Sequence, residues 1–93
     1  MDFSFDPAKN LRNLAERGLS FEQAAEFEFE TSASWIDQRE DYGETRWISL
    51  GFLHDRLHVL CYVNIPGGIR VISFRKANDR ERRLYEQAKA ANE

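Results

Sequence analysis

Arg46-Trp47-Ile48-Ser49-Leu50-Gly51-Phe52, Leu57-His58-Val59-Leu60-Cys61-Tyr62-Val63 and Ile69-Arg70-Val71-Ile72-Ser73-Phe74-Arg75 follow one another in the chain. All three runs are rich in the β-branched, aromatic and aliphatic residues that suit a half-buried pleated surface. His54-Asp55-Arg56 separates the first two and is short enough for a tight connection. Pro66-Gly67-Gly68 separates the last two and carries strong turn chemistry, proline fixing φ and glycine accepting positive φ. Three successive strands joined by short turns predict an antiparallel meander. Upstream, Ser34-Trp35-Ile36-Asp37 reads as a further short strand, set off by the polar loop Gln38 to Glu44. The expected sheet is curved, antiparallel and three to four strands wide.

On the N-terminal side, Asp6 can cap a helix that starts at Pro7, because proline loses nothing at the first helical position. Leu11, Leu14 and Ala15 give that helix an apolar stripe, and Gly18 is placed to end it. Ser20 with Gln23 makes a capping box for a second short helix, whose buried side is Phe21, Ala24 and Ala25. Glu26-Phe27-Glu28-Phe29-Glu30 reads by alternation as strand and equally as the end of that helix. On the C-terminal side, Asn78 with Glu81 caps a last helix, with Leu84, Ala88 and Ala91 expected to pack on the sheet. Two N-terminal helices, an antiparallel sheet and one C-terminal helix make an α+β fold. No repeat or Pro/Ser-rich linker divides the chain, so residues 1–93 are expected to form a single domain.

Composition narrows the function. At 42% hydrophobic and 31% charged, the 93-residue chain is too apolar for a disordered polymer and too charged for a membrane protein. No apolar run approaches the roughly 20 residues of a bilayer span. The opening Met1-Asp2-Phe3-Ser4-Phe5-Asp6 lacks a basic region followed by an apolar one, so a cytoplasmic protein is expected. Cys61 is the lone cysteine, and the two histidines, His54 and His58, lie four apart across a predicted turn. No disulfide and no metal site is therefore expected. No Gly-rich phosphate loop and no serine-nucleophile triad is legible either, and no cofactor is implied.

Charge is asymmetric. Residues 1–44 hold eleven acids against four bases, a balance of −7, whereas residues 45–93 hold nine bases against five acids, a balance of +4. Arginines outnumber lysines ten to three, which suits planar, bidentate contact with phosphate. Arg46, Arg70, Arg75 and Lys76 fall within strands or at strand ends, where a scaffold can aim them. Strict alternation puts Arg70 with Ile72 and Phe74, and Arg75 with Val71 and Ser73, so the two arginines share a face only if a bulge intervenes or one of them lies beyond the strand end. Each needs an anionic partner, and Glu44, Glu81 or a bound phosphate can supply it. For Arg75 and Glu81, a buried pair tying sheet to helix and a phosphate site are both open. Metal-free cleavage of RNA needs a base for the 2′-hydroxyl, cations for the phosphorane and a donor for the leaving oxygen. Glu44, Lys9 or His58 can move protons, the arginines supply charge, and Tyr42, Trp47 and Tyr85 can stack unpaired bases. A non-catalytic module that binds nucleic acid or an acidic partner through the same cations is the alternative.

Several blocks together carry a family likeness. Phe5-Asp6-Pro7-Ala8-Lys9-Asn10, Asn13-Leu14 and Gly18-Leu19-Ser20-Phe21-Glu22-Gln23-Ala24 resemble the opening of BrnT toxins. Asp41-Tyr42-Gly43-Glu44-Thr45-Arg46, Arg70-Val71-Ile72-Ser73-Phe74-Arg75-Lys76-Ala77, Glu81-Arg82 and Tyr85 are similar to its other blocks. The resemblance implies a type II toxin–antitoxin toxin with a RelE-like fold that cleaves RNA and arrests translation and growth. It also implies a BrnA-like ribbon-helix-helix antitoxin as partner, in a complex that binds operator DNA and represses its own operon. Lys9, Glu44, Arg46, Arg70 and Arg75 match the family's polar positions and become catalytic candidates, with Lys76, Tyr42 and Tyr85 as RNA contacts. The chain departs from the family at Glu16-Arg17-Gly18, where many members have Lys-His-Gly.

Overall fold

A computed structural model describes residues 1–92. In chain order the elements are β1 (Asp2–Ser4), α1 (Pro7–Arg17), a 3-10 helix (Phe21–Glu26), β2 (Ala33–Ile36), β3 (Trp47–Leu53), β4 (Arg56–Ile65), β5 (Gly68–Lys76) and α2 (Asp79–Ala91). One sheet joins the five strands in the order β1-β5-β4-β3-β2. The meander β3-β4-β5 and the short strand β2 stand where alternation and turn chemistry place them. The sheet is nevertheless mixed and one strand wider than expected, because β1 pairs parallel with β5, Phe3 opposite Ile69. Gly68 permits this, since a Cβ there would lie 1.9 Å from the Asp2 carbonyl oxygen. Residues 26–30 form no strand: only Phe27 makes a bridge, to Leu53, before the chain turns.

All three predicted helix starts carry their caps. The Asp6 carboxylate accepts from the Ala8 N–H at 2.9 Å, and both capping boxes, Ser20 with Gln23 and Asn78 with Glu81, are closed. The second helix is 3-10 rather than α, with Phe21 and Ala24 buried. The helical stripes differ from expectation. Leu11 and Leu14 remain 66% and 46% exposed, and α1 is instead pinned through its asparagines. The Asn10 side chain accepts from the Phe21 N–H at 2.7 Å. The Asn13 amide donates to the carbonyls of Leu19 and Phe74 and accepts from the Phe74 N–H. In α2 the half-buried stripe is Glu81, Tyr85, Ala88 and Lys89; Leu84, 44% exposed, reaches only the rim of a cavity against the sheet, and Ala91 is exposed.

Two apolar clusters lie on opposite faces of the sheet. The larger, built on Phe21, Phe27, Leu60, Tyr62, Val71 and Phe74, fills the face under α1 and the 3-10 helix, with edge-on aromatic contacts such as Phe27 on Phe74. The smaller, Leu50, Leu57, Val59 and Ala77, lies on the α2 face, with Phe52 and Tyr85 against it. A Gly68→Ala chain should lose about 2 kcal/mol of stability in urea unfolding. Hydrogen exchange should at the same time quicken at Phe3 and Ile69. A variant as stable as its parent would show that close approach of β1 is dispensable.

Candidate functional site

The pairing of β4 with β5 contains one irregularity, and it determines which side chains share a face. Cys61 pairs with Ser73 while the next residue, Tyr62, pairs with Val71, so Ile72 is an extra residue in β5. Alternation therefore restarts. Ile69, Val71 and Phe74 all enter the large cluster. Arg70, opposite Val63, and Arg75, opposite Val59, both stand on the α2 face. Four residues of β4 separate those partners, or roughly 13 Å at about 3.3 Å per residue. Held as they are, the two arginines present separate contacts along one surface rather than a single clamp.

Arg70 Nη2 donates to Glu44 Oε1 at 2.6 Å, and Arg46 Nε donates to Glu44 Oε2 at 3.1 Å. One carboxylate thus lies between two guanidinium groups, and the Arg70 and Arg46 hydrogen bonds hold its pKa below the usual carboxylate range. The Arg46 guanidinium also lies over the Tyr42 ring, 4.1 Å from its centroid. The Tyr42 hydroxyl donates to Asp37 Oδ2 at 3.0 Å. Asp37, buried at the end of β2, further accepts from Arg39 Nε, Nη2 and backbone N–H. Arg39 holds the Asp37 carboxyl far below its ordinary range. Residues 37–46 are therefore a wired loop that aims Glu44, not a slack connection.

Further along the same face, Arg75 makes a fork-on-fork pair with Glu81 of α2, at 2.9 and 2.7 Å. That hydrogen bonding raises the pKa of Arg75 and lowers that of Glu81. Of the two readings left open, the tie between sheet and helix is present, as a partly buried pair. The pair forms one wall of a cavity of about 350 Å³ between α2 and the sheet, with Trp35, Arg39 and Arg80 around it. A second cavity, about 290 Å³, lies across the uncovered edge of β5 and is lined by Lys9, Arg12 and Arg17 of α1. Ser73 and Arg75 border both cavities, so cationic surface continues around the edge of the sheet.

The stretch that carries these cations also identifies the chain's family. Residues 5–81 match the family model for BrnT, the ribonuclease toxin of type II toxin–antitoxin systems. The chain belongs to the BrnT family. No curated protein matches it. Among solved structures it is similar to the Brucella abortus ribonuclease toxin BrnT, at 21% identity and a TM-score of 0.65, over 85% of this chain and 99% of that one. At that identity the likeness speaks for the fold alone. Glu44, Arg46, Arg70 and Arg75 all fall inside the stretch matched to BrnT, whereas Tyr85 lies beyond it.

In this BrnT-family chain the sequence candidates divide into groups. Glu44, Arg46 and Arg70 are brought together with Tyr42 beneath them, and Arg75 follows on the same face. Lys9 sits across the β5 edge. Lys76, one residue past Arg75, turns to the opposite face. Tyr85 packs edge-on against Phe52 and donates its hydroxyl to the Thr31 carbonyl. His58 is buried against Phe74, and burial lowers its pKa. Trp47 packs on the large cluster. Among the described residues, no three His, Cys, Asp or Glu side chains gather as metal ligands.

Sequence reading missed Trp35, Asp37, Arg39 and Arg80. The pair Asp37–Arg39, two residues apart in a polar loop, was a legible signal; the facing of Trp35 is fixed only by its register opposite Ile48. Asp37, Glu44 and Glu81 all titrate lower in the folded than in the unfolded chain, so falling pH protonates the unfolded chain first. Their contribution is complete above the ordinary carboxylate range and is lost as pH drops through their folded values. Urea melts from pH 7 downward should show stability declining below about pH 4.5, less steeply in a Glu44→Gln chain.

Proposed function

We propose that this chain cleaves RNA without a metal ion, with Glu44, Arg46 and Arg70 as the reactive centre. The observation that carries the reading is the single carboxylate held between two guanidinium groups on a sheet face that α2 leaves partly open. Glu44, ionised at neutral pH, accepts the proton of a 2′-hydroxyl. The 2′ oxygen then bonds to phosphorus as the bond to the 5′ oxygen breaks, leaving a cyclic 2′,3′-phosphate and a 5′-hydroxyl end. Arg46 and Arg70 neutralise the charge that gathers on the non-bridging oxygens, where preorganised donors act most strongly. Solvent supplies the proton for the departing oxygen. Arg75, and Lys9 and Lys76 beyond it, contact the RNA backbone away from the cut.

Cleavage of this kind in the cytoplasm would inhibit translation and growth. A BrnA-like ribbon-helix-helix antitoxin would neutralise the toxin by covering the cationic face, and the joint complex would repress its own operon at operator DNA. Incubation with end-labelled RNA in chelator tests the chemistry. New cyclic-phosphate ends are expected, with cleavage reduced about 10²- to 10³-fold in Glu44→Gln and Arg70→Ala chains and growth arrest relieved to match. RNA that is retarded but left intact would instead make the chain a binding module. Unchanged arrest in both variants would remove these residues from the mechanism.

A further inference from the structure

We propose that the cavity between α2 and the sheet is a nucleobase subsite, with the Trp35 indole as its stacking surface and Arg39 and Arg80 as contacts to the flanking phosphates. The inference rests on the RNA-cleaving reading and names what the same face takes next to the cut. Trp35 stands on the edge strand β2 and is 39% exposed, with its register opposite Ile48 directing it into the cavity. Ile48, Val59 and Leu84 supply an apolar lining that suits a flat ring.

The surrounding charges call for an anion. Arg39 is locked by Asp37, yet 71% of its side chain remains exposed, so a second acceptor can reach it. Arg80 makes no ion pair among the described residues and sits in the first turn of α2, where the helix dipole disfavours a cation. A phosphate there relieves both conditions. A volume of about 350 Å³ is at the small end of ligand sites and on the scale of one nucleotide. An acidic peptide would satisfy the cations but leave the indole without a flat partner. The cavity shares its face with Arg70 and Glu44, so one strand can run from the reactive centre to Trp35. Stacking is indifferent to base identity, and the subsite therefore favours unpaired RNA without choosing its sequence.

The test uses a 2′-O-methyl hexaribonucleotide, which cannot be cleaved through its 2′ oxygen, and follows tryptophan fluorescence. The oligonucleotide should quench the parent chain through Trp35, while Trp47, partly buried against the large cluster on the other face of the sheet, supplies the background that a Trp35→Ala chain measures. A Trp35→Ala chain should lose the quench, bind roughly ten- to a hundredfold more weakly, and cut RNA with a raised KM at little-changed kcat. Trp35→Phe should recover most of the affinity, and far-UV circular dichroism checks that both variants fold. Undiminished binding by Trp35→Ala would overturn the subsite even if RNA is still cut. Quenching by a polyglutamate peptide and not by the oligonucleotide would also overturn it, assigning the cavity to an acidic protein partner. Quenching through Trp35 in a chain that cuts nothing would uphold the subsite and sink only the cleavage reading.

Discussion

The extra residue at Ile72 governs this molecule. Without it, β5 would alternate strictly, and burying Ile69 and Val71 would turn Phe74 out to solvent and send Arg75 to the far face from Arg70. With it, three apolar side chains stay in the large cluster while both arginines project toward α2. A bulge costs local ladder regularity and increases twist. Here it lets one strand serve a core and a cationic surface along its whole length. The sheet's division of labour, aromatic core on one side and charge on the other, follows from that single insertion.

The cationic face is stable because its charges come in matched sets. Asp37 has four donors, Glu44 two guanidinium partners and Glu81 a bidentate one. At Asp37, whose side chain is 1% exposed, taking away a partner is more disruptive than the pair's net worth suggests, because the remaining charge is left poorly solvated. The pairs also hold long, flexible side chains in one geometry, so that the guanidinium groups are already aimed along the sheet face.

Local signals in the sequence were reliable where the physics is local. Asp6, Ser20 and Asn78 cap their helices because a side-chain oxygen two or three residues from a free N–H needs no tertiary help. Pro66-Gly67-Gly68 turns the chain for similar reasons. Strand β1 was hidden because its three residues pair in parallel with a segment more than sixty positions away, and Gly68 gives no hint that its missing side chain serves that approach. Leu11 and Leu14 misled because apolar spacing identifies a helix without identifying its partner: asparagines face inward there instead, and in α2 Glu81 and Tyr85 are more deeply covered than Leu84. Of the site, Glu44, Arg46, Arg70 and Arg75 were legible as residue types at strand ends. Their grouping was not, since parity along β5 depends on a bulge that no motif announces, and Trp35 joined them only through register.

Asn13 has a role beyond pinning α1. Its amide donates to and accepts from the backbone of Phe74 on the side of β5 that β1 leaves bare, much as one residue of a neighbouring strand would. An uncovered strand is a template on which other chains can add, and proteins normally blunt it with charge, proline or a short run. Here a helix lends a carboxamide to close the ladder at its most apolar point. The carboxamide occupies the hydrogen-bonding positions that an added strand would need at Phe74, so the same helix that carries Lys9, Arg12 and Arg17 to this rim also closes the ladder there.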